Sequence, residues 1–191
     1  MELQKYLETY KPSILNLGCG KTCPNEHFGI DITNAEGVDV VADLSDGIPI
    51  QDNTFDVILA FDFLEHLIPN KNIMIMEEIW RVLKPCGIVE IIVPSTDGNN
   101  TGAFQDPTHY SFWNQTKFRY FVDEKLGGFR NLYNIQCWFV PVQMDTFFNE
   151  WNITYANAVL RKGIKDGTGD NTNNEQVSGR MAKMEGRIFE V

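Results

Sequence analysis

Apolar residues in the first half of the chain fall in short runs, each stopped by a glycine, an acidic residue or a proline. They occupy 14–17 (ILNL), 28–32 (FGIDI), 38–44 (VDVVADL), 55–61 (FDVILAF) and 88–93 (IVEIIV). Runs this short and nearly continuous suit strands buried on both faces of a parallel sheet. Between the fourth and fifth runs, Ile73, Met76, Ile79, Trp80 and Leu83 recur at helical spacing, and Pro85 and Gly87 end the pattern. Strand, helix and strand in that order predict a right-handed crossover. Farther on, 132–142 and 151–160 read as two longer strands, an antiparallel pair at the sheet edge. The pattern predicts one α/β domain with a doubly wound, mostly parallel sheet.

Two polar, glycine-containing segments punctuate the chain, at 95–102 (STDGNNTG) and 163–179. They divide it into a domain over 1–162 and a polar tail over 163–191. The first 13 residues lack the apolar core of a signal peptide and read as a short amphipathic helix with Leu3, Tyr6, Leu7 and Tyr10 on one side. No apolar run approaches the ~20 residues of a membrane span. The expectation is a cytoplasmic protein without a membrane partner. The net charge of −10 speaks against a nucleic-acid partner, since no Lys/Arg cluster offsets it. The four cysteines, Cys19, Cys23, Cys86 and Cys137, form no CxxC pair and read as free thiols. No metal-binding set follows from them.

Ligands of open α/β sheets bind at the carboxyl ends of the strands. At or just after the ends of the first four runs stand Gly18, Asp31, Asp43 and Asp62, so each strand end offers a small or acidic residue. Gly18-Cys19-Gly20 lets the chain turn tightly against a ligand, although a plain turn has the same composition. The dinucleotide fingerprint needs a third glycine and an acidic residue about 20 positions on. Here the third glycine is absent, Asp31 follows Gly20 by only 11 positions, and Pro24 interrupts the segment. Little room is left for a helix whose N-terminus would hold a pyrophosphate. S-adenosylmethionine, a cofactor without phosphates, removes that requirement. Asp31 could accept both ribose hydroxyls, Asp43 the adenine amino group, and Phe61 with Asp62 would suit a positively charged sulfonium. Taken singly, each also reads as a turn, cap or core residue.

For proton chemistry the candidates are His27, His66 and His109. His27 reads as a surface loop residue, and Glu65-His66 as a packing or capping pair at a helix start. His109 is the best base candidate, with Asp106 to orient it. Asp106-Pro107-Thr108-His109 equally makes a good turn and N-cap. The aromatic segment 104–121 packs on the sheet, with Tyr110 and Trp113 as candidate substrate contacts.

The ordered segments ILNLGCG, FGIDI, VVADLSDGIPIQDNTFDVILAFDFLEHL, MEEIWRVLKPCGIVEIIVPS and FQDPTHYSFWN resemble the class I methyltransferases, in particular methyltransferase-domain proteins acting on small molecules. The resemblance spans about 14–121 and implies a Rossmann-like fold that binds S-adenosylmethionine. It places Gly18, Cys19 and Gly20 against the methionine part, Asp31 on the ribose, Ile32 on the adenine face, Asp43 and Leu44 beside the adenine, and Phe61 and Asp62 near the sulfonium. Asn16 stands where many relatives are acidic, the first helix is short or missing, and Cys86 replaces the first glycine of a Gly-Gly turn. The activity implied is methyl transfer to a small-molecule or sugar-like acceptor. A catalytically silent cofactor-binding module and an NAD-dependent oxidoreductase are the competing readings.

Overall fold

A computed structural model describes residues 13–163 except 22, 99, 123–124 and 126–127. The N-terminal helix expected over the first 13 residues and the tail after 163 lie outside the described residues, apart from Ser13. Each apolar run forms a strand: β1 (Ile14–Leu17), β2 (Phe28–Asp31), β3 (Val40–Val41), β4 (Phe55–Phe61) and β5 (Leu83–Pro94). Helix α1 (Asn72–Val82) links β4 to β5, and a short α2 (Gln115–Phe118) follows. Strands β6 (Phe139–Phe148) and β7 (Thr154–Lys162) close the described chain. The seven strands form one sheet in the order β3-β2-β1-β4-β5-β7-β6. The first five run parallel, and β7 inserts antiparallel between β5 and β6. The sheet is thus mostly parallel with an antiparallel edge.

Several boundaries differ from the sequence pattern for identifiable reasons. The run 38–44 keeps only two strand residues, because its acidic side chains take backbone amides as partners. Asp39 accepts from the amide of Gly29, and Asp43 accepts from Ser45 and caps a 3₁₀ turn over Leu44–Asp46. In α1 the buried face is Ile75, Met76, Ile79 and Val82, whereas Ile73 is exposed. Two apolar stripes overlap in this helix, and packing against the sheet selects the other one. The segment expected to begin a strand at 132 starts instead with a 3₁₀ turn over Arg130–Tyr133, ended by Asn134 in the left-handed region at φ 53°. The strand begins at Phe139.

One apolar core runs through both parts of the sheet, from Leu15, Ile30 and Ile58 through Ile91 to Ala158 and Leu160. Phe118 and Phe121 each stack on Trp113 within it. The end of β7 is fastened by Lys162, whose Nζ donates to the Leu83 carbonyl at 2.7 Å and to Asn53 Oδ1 at 2.8 Å and lies 4.3 Å from the Trp80 ring centre.

Candidate functional site at the carboxyl rim of the sheet

Parallel pairing sets the ends of β1, β2, β3 and β4 along one rim. Leu17 lies opposite Ile30, Asp31 opposite Val41, and Asn16 between Gly29 and Leu59. Gly18 follows β1 at φ 65°, and a Cβ there would stand 2.8 Å from the Phe63 ring. Glycine is therefore required twice over, by conformation and by space. Gly20, at φ 61°, donates its amide to Asp31 Oδ2 at 2.9 Å, and Thr33 donates to Oδ1 at 2.7 Å. The glycine loop and the acidic strand end thus form one unit. An ionised carboxylate offers about four acceptor positions, so Asp31 retains capacity for two more donors. Between Gly18 and Phe28 the described residues contain turns and no helix, as the spacing of Pro24 and Asp31 led one to expect. Cys19 and Cys23 are buried there as free thiols, and burial pushes the Cys19 thiol up to about 12.

Beyond Asp31, Ile32 is 69% exposed, an apolar side chain held at the rim. Asp43 is exposed, and its bonds to Ser45 hold its carboxyl below the usual range. Leu44 is buried, so its side chain belongs to the core and only its backbone can border a ligand. His27, expected on the surface, is half-buried, and burial lowers its pKa.

The end of β4 carries the most perturbed groups. Phe61 is half-buried, and Asp62 adopts φ 47°, a left-handed conformation that aspartate tolerates better than most residues. Next come Phe63, Leu64 and Glu65, all buried. Burial, reinforced by the neighbouring Asp62 carboxyl, pushes the Glu65 carboxyl up to about 8. Asp62 is also raised by burial. Tyr155 of β7, hydrogen-bonded to Asp62, is pushed up to about 12 by burial and by the two carboxyls.

Residues 103–111 fold back over this point. The amides of Tyr110 and Ser111 donate to the Glu65 carbonyl at 2.8 and 2.9 Å, and Ser111 Oγ donates to the Leu64 carbonyl. His109 is brought to His66, with ring centres 5.0 Å apart. Nδ1 of His109 donates to the Ala103 carbonyl at 3.1 Å, and Nδ1 of His66 donates to the Thr108 carbonyl at 3.2 Å. Asp106, expected to orient His109, instead accepts from the amide and hydroxyl of Thr108 and braces the turn. Its short side chain closes the local Asx turn before it can reach the imidazole. Tyr110 is 57% exposed and faces solvent, whereas Trp113 is 1% exposed. Trp113 donates Nε1 to Ser111 Oγ and stacks in the core, which removes it from the candidate substrate contacts. The group formed by Glu65, His66 and His109 went unread in the sequence. His66 and His109 stand 43 positions apart, and the only sequence signal was the Glu65-His66 pair just past a strand end.

A mostly parallel sheet in this order, with a glycine turn and an acidic residue on successive strand ends, is a Rossmann-like fold. Residues 15–91 match the family model described as a methyltransferase domain. Over 105 residues, 48% of the chain, it is 35% identical to a glycine/sarcosine/dimethylglycine N-methyltransferase of Actinopolyspora halophila. The chain spans only 18% of that relative's length. Among solved structures, it resembles the Burkholderia thailandensis 1,6-didemethyltoxoflavin-N1-methyltransferase with bound 1,6-didemethyltoxoflavin and S-adenosylhomocysteine. The TM-score is 0.57 at 17% identity, covering 83% of this chain and 75% of that one. A SAM-dependent methyltransferase from Archaeoglobus fulgidus gives a TM-score of 0.55 at 18% identity, covering 84% and 93%. These two likenesses speak for the fold. Among the described residues, no helix is long and apolar enough to cross a membrane.

Proposed function

We propose that this chain binds S-adenosylmethionine at the strand-end rim and transfers its methyl group to a small-molecule acceptor, sugar-like compounds included. One observation carries the reading. Gly18, Asp31, Asp43 and Asp62 lie along one rim, and among the described residues no helix follows Gly20 to receive a pyrophosphate. The side chains suit the parts of that cofactor. Gly20 leaves open space beside the methionine arm while Gly18 lets Phe63 pack against the turn, Asp31 has acceptor capacity for the ribose hydroxyls, and exposed Ile32 offers a face for adenine. Asn16 in β1 and Cys19 in the turn after it lie on the methionine side, Asp43 and the Leu44 backbone border the adenine side, and Phe61 and Asp62 border the sulfonium. The small-molecule substrates named for the Actinopolyspora and Burkholderia proteins support an acceptor of that size.

The cofactor supplies an activated methyl carbon. The chain's part is to align the acceptor with that carbon, and such alignment is worth up to about 7–11 kcal/mol in favourable cases. Tyr110, exposed beside His109, lines the acceptor side.

The test is a thermal shift. At S-adenosylmethionine 100-fold above Kd, linkage gives about 2.7 kcal/mol, a rise of roughly 5–11 °C for a chain of this size. NAD should give no comparable rise. Asp31→Ala should lose most of the ligand-induced shift, measured against its own ligand-free melting point. A full shift in Asp31→Ala would refute the ribose assignment, and a larger shift with NAD would refute the cofactor. The second reading, a silent cofactor-binding module, draws on Asn16 and the helix-free first connection. It predicts cofactor binding without transfer of a labelled methyl group to any acceptor pool.

A further inference from the structure

Glu65 poses a problem of electrostatics. It is 1% exposed, no basic group among the described residues is paired with its carboxyl, and the polar group closest to it is a second acid, Asp62. An unpaired buried carboxylate costs several kcal/mol, and the ion pairs of Arg81 and Lys84 lie elsewhere. What stands beside Glu65 is a pair of imidazoles. Glu65, His66 and His109 each present one donor atom, and the three atoms lie within 4.8 Å of one another.

The imidazoles are also prepared. Each Nδ1 donates to a backbone carbonyl, that of Thr108 for His66 and that of Ala103 for His109. This fixes the tautomer and leaves Nε2 with its lone pair, the arrangement usual for histidines that bind a metal through one nitrogen and anchor the other. The loop bearing His109 is tied to the main chain of Glu65 itself.

We propose that Glu65, His66 and His109 form a binding site for a first-row divalent cation. Two imidazoles and a carboxylate suit zinc, iron(II), cobalt(II) or manganese(II). The charge of Glu65 with that of neighbouring Asp62 balances the ion's two positive charges. Ligand atoms about 2.0–2.2 Å from a tetrahedral ion stand roughly 3.4 Å apart, so the group contracts on loading. Three protein ligands leave open positions, and an ion there would polarise an oxygen-bearing acceptor placed beside the methyl donor.

The site stands independently of the methyltransferase reading, and the test keeps the two apart. The full chain, stripped with chelator, is titrated with Co²⁺ by visible absorption and with Zn²⁺ by calorimetry. One ion per chain at micromolar affinity or tighter is expected, without thiolate charge-transfer bands. Glu65→Gln and His109→Ala should each weaken binding about 10–100-fold or more, while Asp31→Ala binds the ion as wild type does. Melting curves of the variants establish that each is folded, and Glu65→Gln, which removes a buried acid at constant shape, serves should His109→Ala fail to fold. No uptake at micromolar Co²⁺ by wild type overturns the proposal. So does uptake with thiolate bands, which assigns the ion to cysteines, and so does uptake unchanged in folded Glu65→Gln. A thermal shift with S-adenosylmethionine on the same samples separates the two ideas. Ion binding without that shift leaves the metal site standing and sinks the methyltransferase reading, and the reverse result does the opposite.

Discussion

Cys86 sits at φ 65° in the turn that opens the long run of β5. A side chain in the left-handed region costs about 1–2 kcal/mol, only part of which is offset by the greater unfolded-state freedom of glycine. Cys86→Gly should therefore stabilise the protein by about 1 kcal/mol and raise its melting point by about 2–4 °C. Scanning calorimetry would show this, and an unchanged or lower Tm would mean that the thiol makes compensating contacts. The position was readable in the sequence as a missing glycine, but its strain was not, because strain is a backbone angle. The same limit applies to Trp113 and Asp106. Their residue types suggested a ligand contact and a histidine partner. Burial beneath 103–111 and a closed Asx turn gave them structural duties instead. Asp31 was readable because a strand end fixes both its place and its direction.

Among the elements, β5 carries a buried acid at its centre. Glu90 is 4% exposed, and burial, reinforced by Asp145 of β6, pushes it up to about 7. Its ordinary value is 4.5. Between those two values the folded protein holds more protons than the unfolded chain, so this group makes stability fall as pH rises from about 4.5 to 7. Below that window its penalty is absent, and above it the penalty is complete. Glu90→Gln should match wild type near pH 4 and exceed it by a few kcal/mol above pH 7. Urea titrations at both pH values check the sign, and an equal gain at both would exclude titration as the cause. The strands β1, β2 and β4 were legible because both faces are buried and the runs are unbroken. The shortness of β3 and the rotation of α1 were not, since these depend on acidic side chains finding backbone amides and on which stripe meets the sheet.

At the scale of the whole molecule, one core joins the parallel strands to the antiparallel pair, with Lys162 fastening the end of β7 to Leu83. The described residues should accordingly unfold as a unit. Tryptophan fluorescence, which senses buried Trp113 and Trp138, and far-UV circular dichroism should give the same melting midpoint. Separate midpoints would show that β6 and β7 come away first. The mostly parallel sheet with its antiparallel edge followed from the alternation of runs, whereas the meeting of His66 with His109 followed from a fold-back no local pattern encodes.

Glu65 belongs to both levels at once. Its carbonyl anchors the amides of Tyr110 and Ser111, and its carboxyl stands against the two imidazoles. A single residue is thus pivot for the overhanging segment and floor for the chemistry beneath. Any change that shifts its backbone moves the roof with it, so the shape of the entrance and the reactivity inside cannot be altered one without the other.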